Sequence, residues 1–417
     1  MRGLKAKSLC LLAALLLAAL PGCSKKEEKE AGPRGLEDFA EKVENRSQNF
    51  QRTTVQEQPG ETEPERPLKV GLIGPVTGEG AEVGKMTFEG AKMAAEEFNG
   101  AGGVGGRPIE IITIDNKGEA GATKEALQKL VSENVAAIIG APTGWSTLTP
   151  VYISNESRTI FISAGTRRHI GSSGSFVFRV SLPVERAAEE LMEYSVNTEG
   201  LKTFFFVTVM EDEALNIGAA FRRAVEKKGA SVKGEGSIFT EDDVAGAVRD
   251  LKKKMPVDGV IFAGGPQMAL SFAREAVKAG LRLPFIGGEE LHNDEFLKGA
   301  ALITGSLVYS SFSADDKETV TKGFVESYRK RYGHLPDVFS ADAYDTYMIL
   351  ATAIKGAGTT RPEALRQAIV DIKDFQGVSG TIDMGPEKEA HRRAYILKAV
   401  KSGNLFVFSI VKNPHKK

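Results

Sequence analysis

The chain has 417 residues, of which 41% are hydrophobic and 26% charged, and its 54 basic and 55 acidic residues leave a formal net charge of -1. A chain of this length can form two ordinary globular domains, and its nearly balanced charge provides no strong field for holding a phosphate backbone. The composition therefore argues against a disordered chain, a membrane-embedded chain and a nucleic-acid-binding protein.

The first 22 residues have the pattern of an export signal. Three basic residues precede an apolar run, residues 9–20, that is too short to span a bilayer comfortably. The next residues, Leu20-Pro-Gly-Cys23, resemble a bacterial lipobox. We therefore expect residues 1–22 to be a lipoprotein signal peptide and Cys23 to carry lipid, which anchors the protein at the periplasm or cell surface. The alternative is an ordinary signal with an incidental cysteine.

Residues 23–67 form the next segment, which contains the lipid anchor site and then a run rich in charged residues, Gln and Pro. The run has too few aromatic and β-branched residues to offset the entropy of ordering. We predict a disordered tether between the anchor and a folded body that begins at residue 68.

From residue 68 onward, short apolar runs alternate with amphipathic stretches of helical length. The runs 68–74, 109–114, 136–140 and 159–163 read as strands buried on both faces of a parallel sheet. A second series follows residue 180, with strands at 203–209, 231–238, 259–263 and 284–287, and the tail adds three helices and a hairpin around Gly403. The alternation predicts an α/β protein with two doubly wound parallel-sheet lobes.

Several segments, in chain order, carry a more specific signal. They are Val70-Gly-Leu-Ile-Gly-Pro-Val-Thr-Gly78, Gly84, Gly90-Ala91, Asn99-Gly-Ala-Gly-Gly-Val-Gly-Gly-Arg-Pro108, Phe161-Ile-Ser163, Phe285-Ile-Gly-Gly-Glu289, Ala343-Tyr-Asp345 and Phe375-Gln-Gly-Val-Ser-Gly380. Together they resemble type I periplasmic binding proteins, in particular the leucine/isoleucine/valine-binding family. The resemblance covers essentially the whole body.

The resemblance implies two lobes joined by a three-crossing hinge, with a ligand between them. The expected boundaries are 68–182 plus 312–375 for lobe 1 and 183–311 plus 376–414 for lobe 2. Open α/β sheets bind ligands beyond the carboxyl ends of their strands, which agrees with this placement.

The loop after the third strand is the first candidate part of the site. It follows a buried strand and leads into a helix, so its amides and hydroxyls can meet a carboxylate. By the resemblance, this loop is the carboxylate cradle, formed by Thr143, Gly144, Trp145, Ser146 and Thr147. Gly144 stands where relatives commonly have a serine. The alternative is simple helix capping by Ser146 or Thr147, which is compatible with binding.

The loop after the fourth strand is the second candidate part. There the resemblance implies that Gly165 and Thr166 present a carbonyl and a hydroxyl to the ligand's ammonium and carboxylate. The spacing is ambiguous by one residue. Arg167 would instead favour a more anionic ligand, and surface exposure of Arg167 and Arg168 is the other alternative.

On the second lobe, Glu289 matches the acid with which relatives pair the ammonium group. An unpaired acid in a closing cleft is costly unless a cation arrives with the ligand, so this residue would select for cationic groups. Glu290 makes the register ambiguous, and a solvated acidic turn is the alternative. Where branched-chain receptors place aromatic rings, this chain has Val83, Glu213 and Gly265, so the expected side-chain pocket differs from theirs.

No pattern in the sequence indicates catalysis, a metal or a cofactor. Nucleophile elbows, metal-spaced Cys and His and phosphate-binding loops are missing. Gly100-Ala-Gly-Gly-Val-Gly105 fits G-x-G-x-x-G, but it follows a helix and precedes a strand, so we interpret it as a helix exit with positive φ angles. His292 near Glu289 is too isolated to suggest a metal site.

These features predict a non-enzymatic, lipid-anchored receptor that captures an amino acid or similar small polar solute for an ABC transporter permease. The alternative is a regulatory or sensor lipoprotein with the same fold and another ligand or none. The missing aromatic pocket and the long tether favour that alternative somewhat.

Overall fold

The computed structural model describes residues 66–78, 80–140, 148–164 and 170–415. These residues belong to one unit, Glu63–Lys417. The predicted signal peptide, the anchor at Cys23 and nearly all of the tether lie outside the described residues.

The first lobe is built around a five-stranded parallel sheet with the order β2-β1-β3-β4-β5. Its central strands are buried along nearly their whole length, as expected where helices cover both faces. The strands are β1 (Lys69–Gly74), β2 (Glu110–Asp115), β3 (Ala137–Gly140), β4 (Ile160–Ser163) and β5 (Val177–Arg179).

Three helices connect these strands, and three later helices complete the first lobe. The connecting helices are α1 (Ala81–Gly100), α2 (Ala120–Ser132) and α3 (Leu148–Ser157). The later ones are α9 (Thr319–Tyr332), α10 (Val338–Ala357) and α11 (Pro362–Val370). Helices α10 and α11 share the hydrophobic core of β1, β3 and β4, which shows that the tail of the chain returns to the first lobe.

The second lobe is built around a seven-stranded sheet with the order β14-β13-β10-β9-β8-β6-β7. Five strands are parallel, and the last two join antiparallel as a hairpin whose turn contains Gly403 at φ 61°. The strands are β6 (Thr203–Val209), β7 (Ser231–Ile238), β8 (Gly259–Ala263), β9 (Phe285–Gly287), β10 (Leu307–Ser310), β13 (Tyr395–Ser402) and β14 (Leu405–Lys412). The helices are α4 (Val184–Asn197), α5 (Asp212–Lys227), α6 (Val244–Lys253), α7 (Pro266–Lys278) and the short α8 (Asp294–Lys298).

The chain passes between the lobes three times. Val180 packs in the hydrophobic core of the first lobe and Leu182 in that of the second lobe, so the first crossing lies at Ser181. The second crossing follows β10 at Ser311. The third lies at residues 391–393, because Ala390 still packs in the first core and Ala394 in the second.

The third crossing comes later than the sequence suggested, which was near Phe375. Strands β11 (Phe375–Gly377) and β12 (Gly380–Ile382) form a hairpin that stays on the first lobe. The reason is Asp345 on α10, whose buried carboxylate accepts hydrogen bonds from the backbone amides of Val378, at 2.8 Å, and Ser379, at 3.1 Å. These bonds tie the hairpin turn to a first-lobe helix.

The glycine-rich turn after α1 is a helix exit, as predicted. Helix α1 ends at Gly100, and Gly102, Gly103, Gly105 and Gly106 all have positive φ. The side chain of Asn99 bridges the turn: it bonds the amide of Ile109 at 2.8 Å and its carbonyl at 2.9 Å. These two hydrogen bonds explain why the motif begins with an asparagine.

Candidate functional site

A cleft with a volume of about 1410 Å³ lies between the two lobes. Ligand pockets that enclose a small molecule usually measure about 300–1,000 Å³, so the cleft has room for a small ligand. First-lobe residues on its wall include Glu82, Lys85, Met86, His334, Asp337 and Phe339; second-lobe residues include Asp212, Glu213, Leu215, Glu289, Glu290, His292, Asn293, Phe406 and Phe408.

On the first lobe, the loop after β1 is held by an acid at the end of β2. Asp115 accepts hydrogen bonds from the amides of Val76 and Lys117, at 2.8 and 2.9 Å, and from the hydroxyl of Thr77 at 2.5 Å. Burial raises the pKa of Asp115, but the hydrogen bonds together outweigh this effect and lower the pKa from 3.8 to about 2. The loop after β1 is therefore fixed by a charged side chain that the sequence analysis did not identify.

On the second lobe, Glu289 begins a short 3-10 turn directly after β9. Its Oε1 accepts hydrogen bonds from the amide of Ser311, at 2.5 Å, and from the hydroxyl of Ser311, at 2.7 Å. The hydroxyl of Ser310 lies 3.2 Å from the same oxygen. Glu289 and Glu290 both line the cleft, but Glu289 is the acid joined to the second crossing.

His292 lies beside this acid. Its Nδ1 is 2.9 Å from the hydroxyl of Ser310, and its ring meets Phe408 edge to face at 5.1 Å. Burial lowers the pKa of His292 to about 4, so the ring is neutral at pH 7. Within the described ranges, no group of three His, Cys, Asp or Glu side chains could hold a metal ion.

Of the predicted ligand-binding residues, the structure describes Glu289. Thr143, Gly144, Trp145, Ser146, Thr147, Gly165 and Thr166 lie outside the described residues, as do Arg167 and Arg168. Of Val83, Glu213 and Gly265, the three positions where the sequence analysis noted missing aromatic rings, Glu213 is on the cleft wall. The aromatic side chains that do line the described wall, Phe312, Phe339, Phe406 and Phe408, come from distant segments that no local motif marks.

A buried ion pair lies directly behind the cleft, where the three crossings meet. Arg392, on the third crossing, is 1% exposed, and its Nη1 is 2.7 Å from Oδ1 of Asp342 on α10. The guanidinium also donates to the carbonyls of Val180, at 3.3 Å, and Ser311, at 3.0 Å. One side chain thus binds the backbone of both other crossings.

Asp342 should make stability depend on pH. Burial raises its pKa from an ordinary 3.8 to about 7, with Arg392 acting in the opposite direction and Glu289 and Asp345 adding to the rise. Because this pKa is higher in the folded state, the contribution of the Asp342 carboxyl group to the stability of the fold is complete below about pH 4. It is lost as the pH rises through about 7. As the pH rises from 4 to 8, the free energy of unfolding of Asp342→Asn, measured in urea, should therefore increase relative to that of the wild type. A constant difference between the two proteins over this range would contradict the assignment.

Over the ranges that the structure describes, no helix combines the length and the apolar character needed to span a lipid bilayer.

The sequence and the fold are similar to those of known proteins. A family model described as "Periplasmic binding protein" matches residues 67–404. The leucine-, isoleucine-, valine-, threonine- and alanine-binding protein of Pseudomonas aeruginosa is 26% identical over 305 residues, which cover 72% of this chain and 82% of that protein.

Two solved structures illustrate the similarity in fold. A branched-chain amino acid transporter substrate-binding protein from Streptococcus pneumoniae, in complex with isoleucine, has a TM-score of 0.68 at 23% identity and covers 82% of this chain and 99% of its own. A solute-binding protein of an ABC transporter from Rhodopseudomonas palustris, in complex with 3,4-dihydroxybenzoic acid, has a TM-score of 0.69 at 22% identity and covers 84% and 99%. The family model matches most of the chain and its relatives are solute-binding proteins and not enzymes, so the chain belongs to the periplasmic binding protein family.

Proposed function

We propose that this protein is the extracytoplasmic receptor of an ABC importer and that it captures an amino acid or a related small polar solute between its lobes. Glu289 is the observation that carries the proposal. This acid lies on the wall of an interlobe cleft and accepts two hydrogen bonds from Ser311. A carboxylate held in this way is suited to pairing with a ligand's ammonium group.

The remaining parts of the proposed site follow the family resemblance. Thr143–Thr147 would meet the ligand's carboxylate, and Gly165 and Thr166 would bind its polar groups. Capture would proceed by closure of the lobes, because a ligand that contacts both walls favours the closed arrangement by its difference in contacts. The closed receptor would then present the ligand to a transporter permease.

The relatives leave two ligand classes to be tested. The Pseudomonas protein is named for five amino acids, whereas the Rhodopseudomonas structure contains an aromatic acid. Thermal-shift screening of the purified protein should include both classes. A ligand at a hundredfold excess over its Kd stabilises the fold by about 2.7 kcal/mol, so a true ligand gives a clear rise in the unfolding temperature.

Replacement of Glu289 tests the assigned pairing. In Glu289→Gln the charge is lost and the shape is kept, and charged hydrogen bonds contribute about 1.5–3 kcal/mol. We expect calorimetry to show a Kd about 10- to 150-fold weaker for an ammonium-bearing ligand. Glu235→Gln, on the exposed edge strand β7, is the matched control and should bind normally. Unchanged affinity in Glu289→Gln would remove the assignment.

Attachment to the membrane forms a separate proposal. If Cys23 carries the lipid, the protein should sediment with membranes and incorporate labelled palmitate in its bacterial host. Cys23→Ala should abolish the incorporation of label. Two or more acyl chains are needed for stable anchoring, since each buried methylene contributes only about 0.8 kcal/mol.

A further inference from the structure

The carboxylate of Glu289 is bound by the second crossing and not by its own turn. The backbone amide and the hydroxyl of Ser311 both donate to Oε1 of Glu289. Ser311 directly follows β10, where the chain leaves the second lobe. The acid on the cleft wall is therefore held by the segment about which the lobes are joined.

Ser311 is itself fixed from the opposite side. Its side chain is completely buried, its carbonyl accepts a hydrogen bond from Nη2 of Arg392 at 3.0 Å, and its hydroxyl lies 3.5 Å from Oδ2 of Asp342. The amide of Ser311 thus faces the cleft acid while its carbonyl faces the buried ion pair. Neither group can turn without breaking a charge-assisted hydrogen bond, which is stronger than a neutral one.

We propose that Ser311 is a positioning residue for Glu289 and that Arg392 holds Ser311 in place for this task. The inference rests on the proposed function, because it gives Glu289 its fixed orientation toward a ligand cation. It also makes the position of the Glu289 carboxylate depend on the backbone geometry of the second crossing. Motion at the second crossing would move the two donors relative to the acid.

The same hydrogen bonds also stabilise two acidic side chains that lie close together. Glu289 and Asp342 are both close to Ser311, and two nearby carboxylates disfavour each other's ionised form. The donors of Ser311 favour the charged form of Glu289, and Arg392 offsets the charge of Asp342. Removal of the Ser311 hydroxyl should make Glu289 easier to protonate and less sharply oriented.

A titration that needs no ligand tests this role. The full protein is labelled with carboxyl-¹³C glutamate, and the Glu289 signal is identified by its loss in Glu289→Gln. In Ser311→Ala we expect the midpoint of this signal's titration to rise by about one pH unit. Ser311→Cys, which nearly keeps the volume but has a weak donor, should shift in the same direction.

The control is Ser195→Ala on α4, where a buried serine hydroxyl donates 2.8 Å to the carbonyl of Leu191, within the second-lobe core. The titration of Glu289 in this variant should match that in the wild type. With a ligand from the thermal-shift screen, Ser311→Ala should bind about five- to tenfold more weakly, and the loss should grow as the pH falls.

The results separate this inference from the proposed function. If Glu289→Gln weakens binding but Ser311→Ala and Ser311→Cys leave the Glu289 titration unchanged, the positioning role is wrong and the receptor role stands. If Ser311→Ala shifts the titration but Glu289→Gln binds its ligand normally, the positioning role stands and the pairing with an ammonium group is wrong.

Discussion

Arg392→Met should lower the free energy of unfolding by about 3–5 kcal/mol, the usual cost of breaking a buried ion pair by removing one partner. Methionine keeps an unbranched side chain but has no hydrogen-bond donor. The change leaves Asp342 buried without its cation and removes the donor from the carbonyls of Val180 and Ser311. Urea unfolding followed by circular dichroism measures the loss.

An exposed pair on the second lobe provides the matched control. Arg222 of α5 pairs with Glu235 of β7, and both side chains are about half exposed to solvent. Surface pairs of this kind contribute about 0–1 kcal/mol, so Arg222→Met should change stability far less than Arg392→Met. Equal effects of the two substitutions would show that the buried pair does not stabilise the junction of the crossings.

The long, regular parts of the fold could be predicted from the sequence. Strands β6, β7 and β8 were predicted with the bounds that the structure shows, because each is a clear run between turn residues. The short strands β5 and β10 were missed. With three and four residues, they carry too little periodicity to be separated from the loops around them, and their strand character comes from sheet neighbours.

The position of the third crossing could not be read from the sequence either. Residues 375–382 look like an ordinary strand pair and would suit either lobe. Their place is decided by Asp345, more than thirty residues earlier, through hydrogen bonds to the hairpin turn. A contact of this kind leaves no local pattern.

In the site, too, the sequence predicts what a local pattern marks and misses what only tertiary contacts bring together. Glu289 could be proposed because it follows a recognisable strand, and the structure places it on the cleft wall. Ser311, Asp342 and Arg392 could not be proposed, because each looks like an ordinary residue of its own segment. Their relation appears only when the three crossings are brought together.

Gly90→Ala should destabilise the protein by about 3 kcal/mol or more, the upper range for overpacking. A Cβ at Gly90 would lie 2.0 Å from the backbone oxygen of Ser340, in the first turn of α10. Ser340 cannot easily move aside, because its amide is capped by Asp337 at 2.9 Å. The clash therefore forces α1 and α10 apart within the core of the first lobe.

The same substitution at the end of the same helix gives the opposite expectation. A Cβ at Gly100 would meet no atom within 4 Å, and its φ is not in the positive range. Gly→Ala at such a site restricts the unfolded chain and stabilises by about 0.4–1 kcal/mol. Urea unfolding of Gly90→Ala and Gly100→Ala should thus give changes of opposite sign. A neutral result for Gly90→Ala would mean that α1 and α10 pack less closely than the structure shows, because helix propensity alone favours alanine at both positions.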